Sequence, residues 1–175
     1  MMLRAKHAAL LTLLILAPSL AALAAPSDLP GEKKVDPAPC NAAIIAQDDD
    51  AIIRVCDALI DNDKTERADR LKALLARGAA YQRRDDTDRA IADYGDALRI
   101  DPKLADIFNT RGELYRGKGD RPRALADFSA ALKLNPQHAA ARANFKALAL
   151  ELEKIGADMG VKNLPDRGRP KPPLK

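Results

Sequence analysis

The sequence predicts an all-α fold, a helix-turn-helix solenoid of stacked helical hairpins. Two observations favour this fold class. Residues 71–104 and 105–138 share one pattern, and a repeat period of about 34 residues is typical of helical solenoids. The composition, with 3% aromatic residues and no Trp, suits helices that pack through small side chains rather than a sandwich or a barrel.

The repeat is visible as small, aromatic and proline residues that recur in phase. Ala-Ile-Ala-Asp-Tyr at 90–94 corresponds to Ala-Leu-Ala-Asp-Phe at 124–128. Because a proline disfavours helix in the residue before it, each unit is predicted to end at its proline. The matched pairs are Gly78 and Gly112, Tyr81 and Tyr115, Ala90 and Ala124, Tyr94 and Phe128, Ala97 and Ala131, and Pro102 and Pro136.

The repeated glycines indicate where two helices approach each other. A glycine inside a helix costs about 1 kcal/mol relative to alanine. Its recurrence at Gly78 and Gly112 therefore indicates a helix contact that is too close for a larger side chain. The expected partners are Ala90 and Ala124 on the second helices, with the aromatic residues four positions further on packing against these alanines.

In this spacing the segment resembles the tetratricopeptide repeat family, and the resemblance covers both units. The resemblance implies a right-handed superhelix with repeats at 71–104 and 105–138. It also implies a concave groove, lined by the first helix of each repeat, that receives an extended peptide or a partner helix. The expected groove residues are Lys72, Leu75, Ala79, Gln82 and Arg83 in the first repeat, and Asp106, Asn109, Glu113 and Arg116 in the second.

Two departures from the family pattern bear on the ligand. Members with a carboxylate clamp carry Lys and Asn where Leu75 and Ala79 stand, so capture of a C-terminal carboxylate by that mechanism is not expected. Arg77 and Arg111 stand where the family usually has Leu. They serve either a ligand or solubility, in the latter case with their stems along the hairpin and their charged heads in water.

The N-terminal part of the chain indicates export. Residues 1–24 combine a positive start at Arg4 and Lys6, an apolar stretch and a small-residue exit, as in a secretory signal peptide. The apolar stretch is short for a membrane span, so we expect cleavage without stable membrane insertion, an uncleaved anchor being the alternative. The proline-rich residues 25–39 are predicted to be a flexible linker. We expect a periplasmic or secreted protein.

The charge of the chain does not favour nucleic-acid binding. Its formal net charge is +4, and setting aside Arg4 and Lys6 of the leader reduces it to +2. So small an excess of positive charge does not indicate an interaction with a polyanion.

Residues 40–156 are predicted to form the helical domain, beginning with a degenerate repeat whose helices lie at 41–47 and 51–60. An even number of cysteines in an exported chain favours a disulfide, here between Cys40 and Cys56. Closing such a loop stabilises a fold by about 3 kcal/mol. A redox-active pair and metal ligation are the alternatives, but the chain has no Cys-x-x-Cys.

The remaining helices follow from hydrophobic periodicity and turn residues. Two full hairpins are expected at 66–84 with 87–100 and at 103–118 with 121–134. Residues 137–155 are predicted to form one more amphipathic helix, which caps the exposed end of the second hairpin. Residues 157–175 are rich in Gly, Pro and basic residues, and they are predicted to be a disordered tail.

No reaction centre is apparent in the sequence. The stretch from Gly112 to Lys118 matches part of a phosphate-binding loop, but it lies in a predicted helix and Gly119 replaces the required hydroxyl residue. A serine triad has no support, because after cleavage of the leader His138 is the one histidine left. We therefore expect no enzyme, no catalytic residues, no metal and no cofactor.

These observations together favour a non-catalytic adaptor or scaffold of the cell envelope. Its partner would be a protein or peptide bound in the groove. Two alternatives stay open. One is a self-assembling structural protein that forms a homo-oligomer through its apolar ends, and the other is an accessory subunit of an envelope enzyme.

Overall fold

Every regular element between residues 34 and 158, the part of the chain that the computed structural model describes, is a helix. This confirms the predicted all-α fold class. The predicted signal peptide, most of the linker and nearly all of the C-terminal tail lie outside the described residues. In chain order the helices are α1 (Ala38–Ala46), α2 (Asp49–Val55), α3 (Asp57–Asp61), α4 (Arg67–Arg83), α5 (Thr87–Ile100), α6 (Ala105–Gly117), α7 (Arg121–Leu134) and α8 (Ala139–Asp158).

Two hairpins, α4 with α5 and α6 with α7, form the centre of the fold. The hairpins stack in chain order, because α5 also packs on α6 and α7 packs on α8. Each second helix begins after an aspartate whose side chain accepts a backbone amide hydrogen, that of Arg89 for Asp86 (3.3 Å) and that of Arg123 for Asp120 (3.1 Å). Such a cap satisfies an amide that the helix itself cannot pair.

The repeated glycines do mark a close approach, but to an aromatic ring rather than to an alanine. A Cβ atom added at Gly112 would lie 2.7 Å from the ring of Phe128, and one at Gly78 would lie 3.0 Å from the equivalent ring. The predicted partners Ala90 and Ala124 are fully buried but are not the nearest atoms. That prediction was wrong because a ring extends further from its own helix than an alanine methyl group does.

The segment before the first full repeat folds into three helices rather than two. The predicted second helix, 51–60, is broken at Cys56, where α2 ends and α3 begins. α1 begins at Ala38, within the predicted linker, because the carboxylate of Asp36 accepts the amide hydrogen of Ala38 (2.9 Å).

A disulfide joins α1 to the end of α2, with the pairing that the sequence predicts. The Cα atoms of Cys40 and Cys56 are 4.9 Å apart, and both side chains are buried. Ile52, Leu59 and Ala73 belong to the same apolar cluster. Because Ala73 lies on α4, this cluster fastens the cross-linked segment to the first full repeat.

α8 packs against α7 and touches α6 at the C-terminal end of the stack. Its Ala141 and Leu148 are fully buried, and Leu148 shares a cluster with Phe128. The exposed Lys146 stands one repeat period after Gly112, where the pattern of the repeats would require glycine. In the described part of the chain no further helix approaches α8, so no glycine is needed there. None of the helices within 34–158 is both long and apolar enough to cross a membrane.

Candidate functional site

Arg77 and Arg111, whose role the sequence left open, form the same ion pair in both repeats. Arg77 donates to both carboxylate oxygens of Asp93 (2.9 and 2.7 Å), and Arg111 does the same to Asp127 (2.8 and 2.7 Å). The two aspartates are buried, with 3% and 5% exposed. These hydrogen bonds raise the pKa of both arginines. The charged heads therefore lie inside the hairpins rather than in water, and they hold the two helices of each repeat together.

Arg77 makes one further contact, which links the first full repeat to the segment before it. Its Nη1 atom lies 2.5 Å from a carboxylate oxygen of Asp57 on α3. The aspartates of these pairs were not predicted from the sequence. A signal was present, since an aspartate follows each arginine at the same interval, in the matched Ala-Asp-Tyr and Ala-Asp-Phe motifs.

A second repeated cluster was also missed. In each repeat the arginine near the start of the second helix forms an ion pair with the capping aspartate. Its guanidinium carbon lies 4.4 Å from the centroid of a tyrosine ring on the first helix, which is cation–π geometry. The clusters are Tyr81, Asp86 and Arg89 in the first repeat, and Tyr115, Asp120 and Arg123 in the second.

The predicted groove residues lie on one face of α4 and one face of α6, since residues three, four and seven positions apart share a helix face. We call this surface the groove face. The structure leaves four of its residues exposed, four half-buried and one buried. Exposed are Lys72, Arg83, Asp106 and Glu113; half-buried are Leu75, Ala79, Gln82 and Arg116; and Asn109 is buried.

An open cavity of about 470 Å³ adjoins the α4 side of the groove face, where α4 meets the segment that precedes it in the chain. Two groove residues, Ala79 and Arg83, contribute to its wall. We call this cavity the N-terminal pocket. It is lined by Ile44 of α1, Gln47 directly after α1, Asp49 and Ile52 of α2, and Ala76, Ala79 and Arg83 of α4.

Both arginines of the groove face are already paired with carboxylates. Nε of Arg83 lies 3.0 Å from each oxygen of Asp49, and its hydrogen bonding lowers the pKa of that carboxyl group. Arg116 donates to Glu151 on α8 (3.2 Å). Arg121 also donates to Glu151 (2.8 Å), and this bond is the main cause of the lowered pKa of Glu151.

These pairs leave few free cations on the groove face. Lys72 makes no ion pair with any residue that the structure describes, and it is exposed. The α4 side of the groove face therefore carries a single uncompensated positive charge at its N-terminal end.

The carboxylates of α6 are not neutralised by a cation. Oε1 of Glu113 accepts hydrogen bonds from the side-chain amides of Asn109 (3.0 Å) and Asn144 (2.6 Å). Asn144 also donates to the side-chain carbonyl oxygen of Asn109 (3.0 Å), so the three side chains form a closed network. Amide donors orient a carboxylate without cancelling its charge. Within residues 34–158 nothing hydrogen-bonds to Oε2 of Glu113.

Asp106, two turns earlier on the same face of α6, has no lysine or arginine partner among the described residues and lies beside a histidine. Nε2 of His138 is 3.0 Å from the Asp106 carboxylate but is not aligned for a hydrogen bond. Nδ1 of His138 accepts the amide hydrogen of Ala141 (3.3 Å). The α6 side of the groove face therefore carries two carboxylates that no described lysine or arginine pairs with.

Two of the predicted groove residues also serve internal contacts. Tyr94 donates its hydroxyl hydrogen to Oε1 of Gln82 (2.9 Å), which ties Gln82 to α5. Asn109, with 6% exposed, holds Glu113 in place rather than facing solvent. Among the described residues no group of three His, Cys, Asp or Glu side chains is placed to hold a metal ion.

Comparisons with known proteins agree with this architecture. Two family profiles described as tetratricopeptide repeat match residues 71–104 and 105–138. The search of curated proteins finds no match. The chain resembles the solved Arabidopsis OM64 TPR domain with 24% identity and a TM-score of 0.54, covering 65% of this chain and 91% of that chain. It also resembles the first TPR of Spaghetti (RPAP3) bound to HSP90 peptide SRMEEVD, with 18% identity and a TM-score of 0.56, covering 68% and 97%. Residues 71–138 of this chain therefore match two tetratricopeptide repeats, and the described helices have the fold of the two solved TPR domains.

Proposed function

We propose that this protein is a non-catalytic interaction adaptor that binds a peptide segment of another protein on its groove face. The observation that carries the proposal is the face of α4 and α6 that borders the N-terminal pocket and leaves four of its nine residues exposed in the described part of the chain. A protein of similar fold, the RPAP3 repeat, is bound to a peptide.

The side chains of the groove face are held in place before any ligand arrives, which favours binding. Asp49 positions Arg83, and the amides of Asn109 and Asn144 position Glu113. Side chains that are already ordered lose less conformational entropy on binding. Such preorganisation is what a peptide-binding surface requires.

Site-specific photocrosslinking tests the proposal. A photoreactive lysine analogue in place of Lys72, on the groove face, should crosslink to a partner protein in cells. The same analogue in place of Lys133, exposed on α7, is the matched control and should give little or no product. Equal crosslinking from both positions, or crosslinking from Lys133 alone, would show that the groove face is not the binding surface.

We further propose that the protein acts after export, in the periplasm or outside the cell. The buried Cys40–Cys56 disulfide supports this, because such bonds persist in oxidising compartments. Cell fractionation combined with mass spectrometry without reductant provides the test. We expect protein that lacks residues 1–24 and carries the intact disulfide. Full-length protein with two free thiols in the cytoplasmic fraction would contradict the proposal.

Self-assembly is a second candidate function, because α8 exposes two leucines. Leu150 and Leu152 have 56% and 36% of their surface exposed. Sedimentation over a range of concentrations tests it. Self-assembly predicts a mass that rises with concentration and falls back in Leu150→Glu, whereas a monomer at every concentration excludes it.

A further inference from the structure

We infer that the groove face recognises an extended peptide that carries an aliphatic residue at one position and a lysine or arginine at another. This inference rests on the proposed function and specifies its ligand. The aliphatic residue occupies the N-terminal pocket, and the basic residue pairs with the free carboxylate oxygen of Glu113.

The N-terminal pocket offers a ligand apolar surface rather than charge. Four of its seven lining residues are apolar, namely Ile44, Ile52, Ala76 and Ala79. The two charged residues at its edge, Asp49 and Arg83, are already paired with each other. A polar or charged ligand group would gain little there, whereas an aliphatic side chain would be removed from water.

The disulfide contributes directly to this pocket. Ile44 belongs to α1 and Gln47 follows its last residue, whereas Asp49 and Ile52 belong to α2, and the Cys40–Cys56 bond joins the two helices. Four of the seven residues of the pocket wall therefore lie in the segment that this covalent bond holds together. A helix as short as α1 would not hold such a position alone, because isolated helices of this length are marginal in water.

Glu113 provides the second point of recognition. Its Oε1 atom is held by two amide donors, while Oε2 has no hydrogen-bond partner in the described chain. Asp106 on the same face adds a second carboxylate without a lysine or arginine partner in the described chain. The hydrogen bonds of Arg83 and Arg116 go to Asp49 and Glu151 rather than to these two carboxylates. Charge complementarity therefore selects a cationic side chain at this place.

The repeat places the two points in series along the groove face. Ala79 in the pocket and Glu113 occupy equivalent positions, one repeat period apart, in consecutive repeats. The pocket is shared by α4 with α1 and α2, whereas Glu113 lies on α6. An extended peptide advances about 3.3 Å per residue, so it meets the two points with different side chains.

The same geometry disfavours an acidic peptide. The ligand of the RPAP3 structure, SRMEEVD, contains three acidic residues. In this chain an acidic segment along α6 would lie against Glu113 and Asp106. Like charges brought together at an interface are repelled, which makes the two carboxylates a source of specificity as well as affinity.

A positional-scanning library of extended peptides with blocked termini tests the inference on the purified, oxidised protein. We expect enrichment of Leu, Ile or Val at one position and of Lys or Arg at a second position, a fixed number of residues away. Enrichment of Asp or Glu instead, or of basic residues without an aliphatic partner, would overturn the inference. If no peptide is bound at all, the proposed function itself fails, and the two failures are thereby distinguished.

Matched substitutions assign the two preferences to their residues. Glu113→Gln should weaken binding of the best blocked peptide about three- to tenfold and remove the basic preference, as expected for loss of a charge-assisted bond at a partly exposed site. Glu153→Gln removes the same charge at an exposed position of α8; it is the control and should have no effect. A basic preference that survives in Glu113→Gln refutes this part of the inference.

Filling the pocket tests the aliphatic anchor independently. Ala79→Leu should weaken binding about tenfold or more and relax the aliphatic preference, because the added side chain occupies the space of the ligand. Ala92→Leu, at an exposed position of α5, is its control. Thermal unfolding of every variant verifies that the fold is retained. An unchanged aliphatic preference in a folded Ala79→Leu variant refutes the assignment of the pocket.

Discussion

Replacing Gly112 by alanine tests the packing on which both repeats depend. The added Cβ atom would lie 2.7 and 2.8 Å from two ring carbons of Phe128. That side chain is fully buried, so the ring has no free space into which to move. Overpacking costs about 1–3 kcal/mol, and so short a contact with a buried ring belongs to the upper part of that range, about 2–3 kcal/mol. Alanine recovers about 1 kcal/mol of helix propensity, which leaves an expected net loss of about 1–2 kcal/mol.

Alanine substitutions at two other glycines provide a comparison for this expected loss. In Gly78→Ala the nearest ring atom of Tyr94 would be 3.0 Å away, so the contact is looser and the expected loss is about 0–1 kcal/mol. At Gly117 an added Cβ meets nothing within 4 Å, although the residue lies in the last turn of α6. Gly117→Ala should therefore gain stability, by up to about 1 kcal/mol.

Urea denaturation followed by circular dichroism measures the three free energies of unfolding. The denaturation midpoints should fall in the order Gly117→Ala, wild type, Gly78→Ala and Gly112→Ala, with an unchanged slope. Phe128→Leu should lose less stability in the Gly112→Ala background than in the wild type, because a smaller side chain relieves the contact. A Gly112→Ala variant as stable as the wild type would refute the reasoning.

Three further predictions concern the charges and the disulfide. Asp127→Ala should lose about 3–5 kcal/mol of unfolding free energy, measured by urea denaturation, because it leaves a buried guanidinium unpaired. Asp127→Ala combined with Arg111→Leu should lose clearly less, and equal losses would refute the ion-pair assignment. Cys40→Ser combined with Cys56→Ser should lower the unfolding free energy by about 3 kcal/mol relative to the oxidised protein, and a midpoint unaffected by the change would show that the bond contributes nothing. Hydrogen bonds from Arg121 and Arg116 lower the pKa of Glu151 in the folded protein below the value of 4.5 expected in the unfolded chain. The ionised carboxylate therefore stabilises the fold above pH 4.5, and this stabilisation is lost as the pH falls through the lower pKa of the folded protein. Glu151→Gln should therefore flatten the acid loss of stability measured by urea midpoints below about pH 4.5, and identical acid profiles would contradict this.

The hairpins could be predicted from the sequence because their signals are local. The in-phase residues, the capping Asp120 and the terminal prolines each act within one or two helical turns. The repeat period then determines how the units stack, since each hairpin hides its apolar face against the next one. The spacing of three and four residues along a helix likewise places the predicted groove residues on one face of α4 and one face of α6.

Other features could not be predicted because they depend on which side chains meet across helices. The arginines at 77 and 111 have the same sequence signature whether their heads lie in water or against a buried aspartate. Only the packed hairpin brings Asp93 and Asp127 within hydrogen-bonding distance. The break at Cys56 belongs to the same class, since it falls where the segment is joined to α1.

By itself the sequence determined the helical class, the repeat period and which residues share one face of α4 and one face of α6, because these follow from local propensity and spacing along one chain. The tertiary structure alone decided the charge that this groove face presents. Arg83 is paired with Asp49 and Arg116 shares Glu151 with Arg121, whereas Glu113 meets only amides. The physical reason is that the net charge of a surface depends on pairings between distant segments, and the helix period carries no record of them.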